Sequence, residues 1–241
     1  MEIILEAVGL QKTYARRRVV DGVSMCVGEG ELVGLLGGNG AGKSTSFRMI
    51  CGIVQPDRGR VFLGGREVTD WPMFRRARDG RMGYLPQDES VFQSMTVEQN
   101  ISAMLEMLGF NRRQRKQRTD ELLDDFDIGH IRKSPASKLS GGERRRLEIA
   151  RCLVSDPKVV MLDEPFAGVD PVTVQSIQKV ILQLQQSGIA VLITDHDART
   201  ILDTVSRCYV IHAGRNLVDG TPQEVQQHPT VREEYLGDLK A

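Results

Sequence analysis

The stretch Gly37-Gly38-Asn39-Gly40-Ala41-Gly42-Lys43-Ser44 follows directly on the apolar run Leu32–Leu36. It fits G-x-x-x-x-G-K-[ST], a pattern whose context is a turn between a buried strand and a helix N-terminus. Glycines at these spacings let successive backbone N–H groups curl around phosphate oxygens, and the following helix start adds partial positive charge. The expected phosphate-binding set is Gly37, Gly38, Asn39, Gly40, Ala41, Gly42, Lys43, Ser44 and Thr45. Lys43 would reach the β- and γ-phosphates of ATP, and the Ser44 hydroxyl would ligate Mg²⁺. The alternative is a Gly-rich turn that only caps a helix, which leaves the Lys-Ser-Thr run without a purpose.

A second apolar run, Val159–Leu162, ends in Asp163-Glu164. At the C-terminal end of a parallel strand, Asp163 would meet the Mg²⁺ side of a nucleotide. Strand alternation would turn Glu164 the other way, where it could polarise an attacking water as general base. The alternative is an ordinary salt-bridged carboxylate.

Around these two motifs, short β-rich runs alternate with helical patterns, the mark of an α/β fold with a parallel sheet. Ile189–Thr194 and Tyr209–Ile211 read as further strands, and Pro157 ends a helix carrying Leu147, Ala150 and Leu153. The first thirty residues look like antiparallel strands attached at one edge. Residues 88–155 read as an inserted helical subdomain and 222–241 as a C-terminal extension, so that 1–241 forms a single nucleotide-binding domain. A chain 40% hydrophobic but only 5% aromatic suits an aliphatic core of this kind.

Lys plus Arg and Asp plus Glu are 32 each, and this zero net charge argues against a nucleic-acid partner. Cys26, Cys51, Cys152 and Cys208 show no metal spacing and read as reduced thiols. The N-terminal residues Met1–Glu6 lack the basic and apolar regions of a secretory signal, and no apolar run approaches the roughly 18 residues of a membrane span. The expectation is a soluble chain that meets a membrane through a partner. The run Arg112–Arg118 holds five basic residues and reads as a solvated helix face, with anionic lipid or a partner as the alternative.

The order of motifs is more specific than any one of them. The phosphate loop is followed by Tyr84-Leu85-Pro86-Gln87, Leu139-Ser140-Gly141-Gly142-Glu143, Leu162-Asp163-Glu164-Pro165, Gly168-Val169-Asp170 and Asp195-His196. Ser140 with Glu143 also reads locally as a helix capping box. The full series resembles the nucleotide-binding domain of ABC ATPases over nearly the whole chain. The resemblance implies a P-loop NTPase fold with an antiparallel β edge subdomain and a helical subdomain. It also implies a head-to-tail dimer with a second copy of the chain, sandwiching ATP. Ser140, Gly141 and Gly142 would grip the γ-phosphate bound to the opposite copy, and Asp170 would cross the interface. Gln87 would contact Mg²⁺ and the attacking water, His196 would hold the γ-phosphate and Glu164 in line, and Tyr14 would stack on adenine. Gly38 stands where many members carry proline, which suggests a somewhat more mobile loop.

Arg17-Arg18-Val19-Val20, the run Gly142–Arg151, Asp163–Pro171, Leu192–His196 and the tail Tyr235-Leu236-Gly237 are similar to the lipopolysaccharide-export branch of the family. Branched-chain amino-acid importer ATPases share the tail and are the alternative. The resemblance implies transmembrane permease subunits docked in a groove near Gln87 and Phe92, at the cytoplasmic face of the inner membrane. Phe92 could instead be a core aromatic. A ribosome-binding ABC factor would bring a second cassette and a basic linker, and a chromosome clamp a long coiled coil; neither feature is present in the sequence.

Overall fold

In the computed structural model, residues 1–236 are described. The chain builds two sheets. Strands β1 (Ile3–Tyr14), β2 (Arg17–Gly28), β4 (Arg58–Leu63) and β5 (Arg66–Glu67) form an antiparallel sheet in the order β2-β1-β4-β5. Strands β3 (Leu32–Leu36), β6 (Met82–Leu85), β7 (Val159–Asp163), β8 (Ala190–Thr194), β9 (Arg207–His212) and β10 (Arg215–Gly220) form the larger sheet. Its order is β10-β9-β3-β8-β7-β6, parallel throughout except for the antiparallel edge strand β10.

The central parallel strands β3, β7 and β8 are buried along their whole length and apolar up to their C-terminal residues, because both faces are covered. Val33, Leu35, Val159, Met161, Ala190 and Leu192 point into a core shared with the antiparallel sheet. Their alternating neighbours Leu32, Leu36, Val160, Leu162, Val191 and Ile193 point into a second core beneath the helices. The period of two thus divides one strand between two cores. Helix α1 (Lys43–Cys51) leaves the phosphate loop and buries Phe47, Met49 and Ile50 in the first core.

The expected antiparallel strands therefore have a sheet of their own, which β4 and β5 complete. They meet the larger sheet at its β10 edge, where Asn216 exchanges two 2.8 Å hydrogen bonds with the Ser24 backbone. Between β6 and β7 every regular element is helical: α3 (Val97–Met107), α4 (Arg112–Asp125) and α5 (Gly141–Cys152), joined by short 3₁₀ turns. Helices α3, α4 and α5 each begin with a capping box, Thr96/Gln99, Asn111/Gln114 and Ser140/Glu143. A short helix α2 (Met73–Arg78) precedes β6. Helices α6 (Pro171–Gln186) and α7 (Ala198–Thr204) cover the far face, and α8 (Pro222–Gln227), α9 (Pro229–Val231) and a π-helical turn at Arg232–Leu236 follow β10. Of the expected C-terminal extension and its Tyr235-Leu236-Gly237 mark, residues 237–241 lie outside the described residues.

Candidate functional site

The candidate phosphate-loop, Asp163, Glu164 and His196 positions gather at the C-terminal ends of β3, β7 and β8, where open parallel sheets bind ligands. Thr194 at the end of β8 pairs with Leu35 on one side and with Asp163 on the other. The phosphate loop and Asp163 are thus separated by two strand spacings, roughly 10 Å, room for a phosphate chain and a cation between them. The Thr194 hydroxyl donates to the Leu35 carbonyl at 3.0 Å and ties the strand ends together.

Gly42, the N-cap of α1, has φ 102°. A Cβ there would lie 2.8 Å from the Val19 carbonyl oxygen, so only glycine serves. The Ala41 carbonyl accepts from Gly214 N–H at 2.9 Å, so the loop is braced by β2 on one side and the β9–β10 turn on the other. The Lys43 ammonium donates to the Gly37 and Gly38 carbonyls at 2.5 and 3.0 Å. Burial pulls its pKa down, against the opposite pull of the Glu164 carboxylate. Ser44 is exposed at the head of the helix and Thr45 half-buried behind it. Lys43→Ala should lose two charge-assisted bonds to phosphate, about 3 kcal/mol or roughly a hundredfold in ATP affinity, as a binding titration would read.

Asp163 and Glu164 part company, as strand alternation suggests, but a backbone turn does it. Glu164 lies beyond the end of β7 with φ 51°, in the left-handed region. Its N–H still bonds to the Thr194 carbonyl at 2.8 Å, and its carbonyl accepts from the Arg145 guanidinium at 2.7 Å. Strain of this sort persists only when neighbours over-determine it. The Glu164 carboxylate is gripped from both sides: Gln87 Nε2 donates to Oε2 at 2.6 Å, and His196 Nδ1 lies 3.1 Å from Oε1. Gln87, Glu164 and His196, far apart in sequence, thus form one cluster.

Asp163 is 3% exposed. Its carboxyl is pushed up to about 6, first by burial and then by the adjacent Glu164 charge. Asp195, equally buried, accepts from the Phe166 and Asp197 N–H groups and holds the segment before His196. No group of three or more His, Cys, Asp or Glu side chains is placed to hold a metal among the described residues. A cation here would rest on the Ser44 hydroxyl, the Asp163 carboxylate, the Gln87 amide and phosphate oxygens. That oxygen donor set suits Mg²⁺, and a cation would offset the burial and the Glu164 repulsion that raise Asp163.

Beside the phosphate loop lies a cavity of about 290 Å³, lined among others by Gly38, Asn39, Lys43, His196 and Tyr235. Tyr235 was not expected as a site residue. Its Oη is 2.7 Å from His212 Nδ1, and a Cβ at position 38 would meet its ring at 2.9 Å. Gly38 therefore makes room for the Tyr235 ring beside the loop. Only the family resemblance of the tail pointed to it.

Ser140, Gly141 and Gly142 do not line this cavity. Ser140 caps α5, its hydroxyl donating to Glu143 Oε2 at 2.7 Å, and the capping box is as the sequence predicts. A Cβ on Gly142 would press on Thr173 at 3.1 Å. Asp170 caps the neighbouring helix α6 through the N–H groups of Val172 and Thr173. Tyr14 ends β1, 45% exposed, with its backbone steadied by Asp57, which accepts from Thr13 N–H at 2.7 Å and pairs with Lys12 at 2.8 Å.

Two residues the sequence did not single out tie these parts together. Arg145 and Glu148, one turn apart on α5, form a buried 2.8 Å ion pair. Arg145 also donates to the Pro165 carbonyl at 3.0 Å, and Glu148 accepts from Ser90 N–H at 2.8 Å. One ion pair thus joins the Glu164 backbone to the segment after Gln87. That segment carries Phe92, whose backbone is clamped by Asn100 and whose ring, 40% exposed under the Arg151 guanidinium, is not a core aromatic.

A family model described as ABC transporter matches residues 20–167. The chain belongs to the ABC transporter family of ATP-binding proteins. As an ABC ATPase it binds nucleotide, and it hydrolyses ATP in the service of transport. It is 54% identical to an uncharacterized ABC transporter ATP-binding protein of Rhizobium meliloti, across 97% of this chain and 86% of that protein. It is 49% identical to the lipopolysaccharide export system ATP-binding protein LptB of Acidithiobacillus ferridurans, across 99% of this chain and 98% of that one. Among solved structures, the ADP conformation of an ATP-binding cassette of an ABC transporter superposes with a TM-score of 0.87 at 27% identity, across 99% of this ABC ATPase and all of its counterpart.

Proposed function

We propose that the chain is the ATPase of a lipopolysaccharide-export transporter, hydrolysing ATP at two sites shared between head-to-tail copies. The observation that carries the hydrolytic part is the Glu164 carboxylate held between Gln87 and His196. A carboxylate fixed on both oxygens beside a phosphate loop is placed to take the proton of an attacking water. His196 and Gln87 orient it, Lys43 neutralises the γ-phosphate, and Tyr14 stacks on the base. Mg²⁺, when bound by Ser44, Asp163 and Gln87, supplies charge neutralisation at the phosphoryl oxygens.

The two-copy arrangement is supported by the position of Ser140, Gly141 and Gly142 outside the chain's own phosphate cavity. They form an exposed helix start suited to an anion, and a second copy related by two-fold symmetry would supply the phosphate. On this reading residues 1–241 are one nucleotide-binding domain, with 88–155 as the helical subdomain and 222–241 as the C-terminal extension.

No helix among the described residues is long and apolar enough to cross a membrane. The subunit would act at the cytoplasmic face of the inner membrane through permease subunits seated near Gln87 and Phe92. Phe92→Ala should leave the isolated chain folded and reduce co-purification with the permease; unchanged co-purification would count against the groove. The likeness to LptB favours lipid export over the amino-acid alternative. ATP-dependent release of lipopolysaccharide from proteoliposomes holding the co-purified complex tests the cargo. Stimulation of ATPase by branched-chain amino acids instead would overturn it.

A further inference from the structure

Helix α4 carries its charges against its own dipole. Backbone dipoles make a helix N-terminus positive and its C-terminus negative, so acids stabilise the first turn and bases the last. In α4 there is no acid in the first turn and no base in the last. Arg112, Arg113, Arg115 and Lys116 crowd the positive end, and Asp124 and Asp125 the negative end. Arg112 also faces Arg115 and Lys116 at three and four residues, spacings at which like charges repel.

Packing does not explain the arrangement. The buried residues of α4 are Thr119, Leu122 and Leu123, all in its C-terminal half. Ion pairing explains only part: Arg115 meets Glu106 of α3 and Arg118 meets Glu121. Arg112, Arg113 and Lys116 are exposed and form no ion pair with the described residues. Met107, the last residue of α3 and next to the Glu106 that Arg115 meets, is 79% exposed. One turn back on α3, Met104 Sδ lies 3.7 Å from the Arg151 guanidinium, which covers Phe92. Arg151 thus links the C-terminal half of α3 to the Phe92 ring, whose backbone is held by Asn100 in the first turn of the same helix.

We propose that this corner, with Arg112, Arg113 and Lys116 at the start of α4 and Met107 at the end of α3, is a contact surface for an anionic phospholipid bilayer. The chain as a whole has zero net charge and would feel little pull toward such a surface. The polarised helix presents its basic end to phosphate headgroups and turns Asp124 and Asp125 away. Mobile headgroups can satisfy three long exposed cations, where a rigid protein partner would need matching carboxylates. Met107 supplies a short apolar contact at headgroup depth. The inference deepens the reading of the chain as a membrane-bound transport subunit.

Flotation of the 241-residue chain with vesicles tests it. The chain should float with vesicles of phosphatidylethanolamine and phosphatidylglycerol, not with phosphatidylcholine alone, and less as salt is raised. Each neutralised cation should cost about fivefold in partitioning, so the combined R112Q, R113Q and K116Q variant should lose about a hundredfold with its ATPase unchanged. The R112E and R113E pair complements the helix dipole, so its melting temperature should rise while flotation is lost, which separates binding from folding. Equal flotation of the triple variant, or no discrimination by the wild type, overturns the proposal. So does a triple variant that loses the permease from a wild type that never floats, because the corner would then be a protein contact. Flotation needs no permease, so its failure leaves the Phe92 groove standing, and failure of that groove leaves the lipid contact standing.

Discussion

Glu164→Gln should lower ATP turnover at least a hundredfold while ATP binding and ATP-driven pairing of the chain persist. Removing a positioned general base costs about 10²–10⁴ in rate, and the substitution is nearly isosteric. The amide oxygen of the new side chain can still accept from Gln87, so that bond survives with the negative charge gone. The phosphate loop braces, Gly214 on Ala41 and α1 behind Lys43, do not touch the changed atoms. Burial pulls the Lys43 pKa down while Glu164 holds it up, yet an ammonium against ATP phosphates keeps its proton. The closed pair should therefore accumulate with ATP, because the step that removes the γ-phosphate bridge is the one that fails. Gel filtration with ATP and Mg²⁺ reads the pairing, and phosphate release reads the turnover. Wild-type hydrolysis in this variant would remove Glu164 from the role of base.

Asp163, Glu164, Lys43 and the glycine loop were legible because phosphate chemistry imposes short, local spacings on the chain. Gly42 must be glycine for a backbone reason that the loop pattern already encodes. The apolar runs of β3, β7 and β8 were legible because both faces are buried. What the sequence hides is long-range. Strand β5 has two residues, and its place beside β4 depends on a turn rather than on any period. Tyr235 meets Gly38 across nearly the whole chain, and a lone tyrosine near the end carries no local signal. Glu164 was expected to diverge from Asp163 by strand alternation, whereas a left-handed residue does the turning. Arg145 and Glu148 read as two more charges in a charged helix. Glu148 did carry a signal, since it sits between Leu147 and Ile149 on a helix that buries both.

That buried pair has the largest expected effect on stability. Removing one member of a buried ion pair leaves the other charge without compensation and costs about 3–5 kcal/mol. Glu148 is 3% exposed, so Glu148→Ala should lose that much and leave the Arg145 guanidinium facing a cavity. The ATPase should fall as well, because Ser90 N–H loses its acceptor and Arg145 its anchor below the Glu164 and Pro165 carbonyls. Stability and activity can be separated by replacing both partners together. Arg145→Met with Glu148→Leu fills the site with apolar volume, and such replacements are often neutral or stabilising. The double variant should therefore recover most of the lost stability in a denaturant titration. Its turnover should stay low, since no group then ties the left-handed Glu164 backbone to the segment after Gln87. Recovery of both would make the pair a packing element. Recovery of stability alone places it in the line that sets the carboxylate against the phosphate loop.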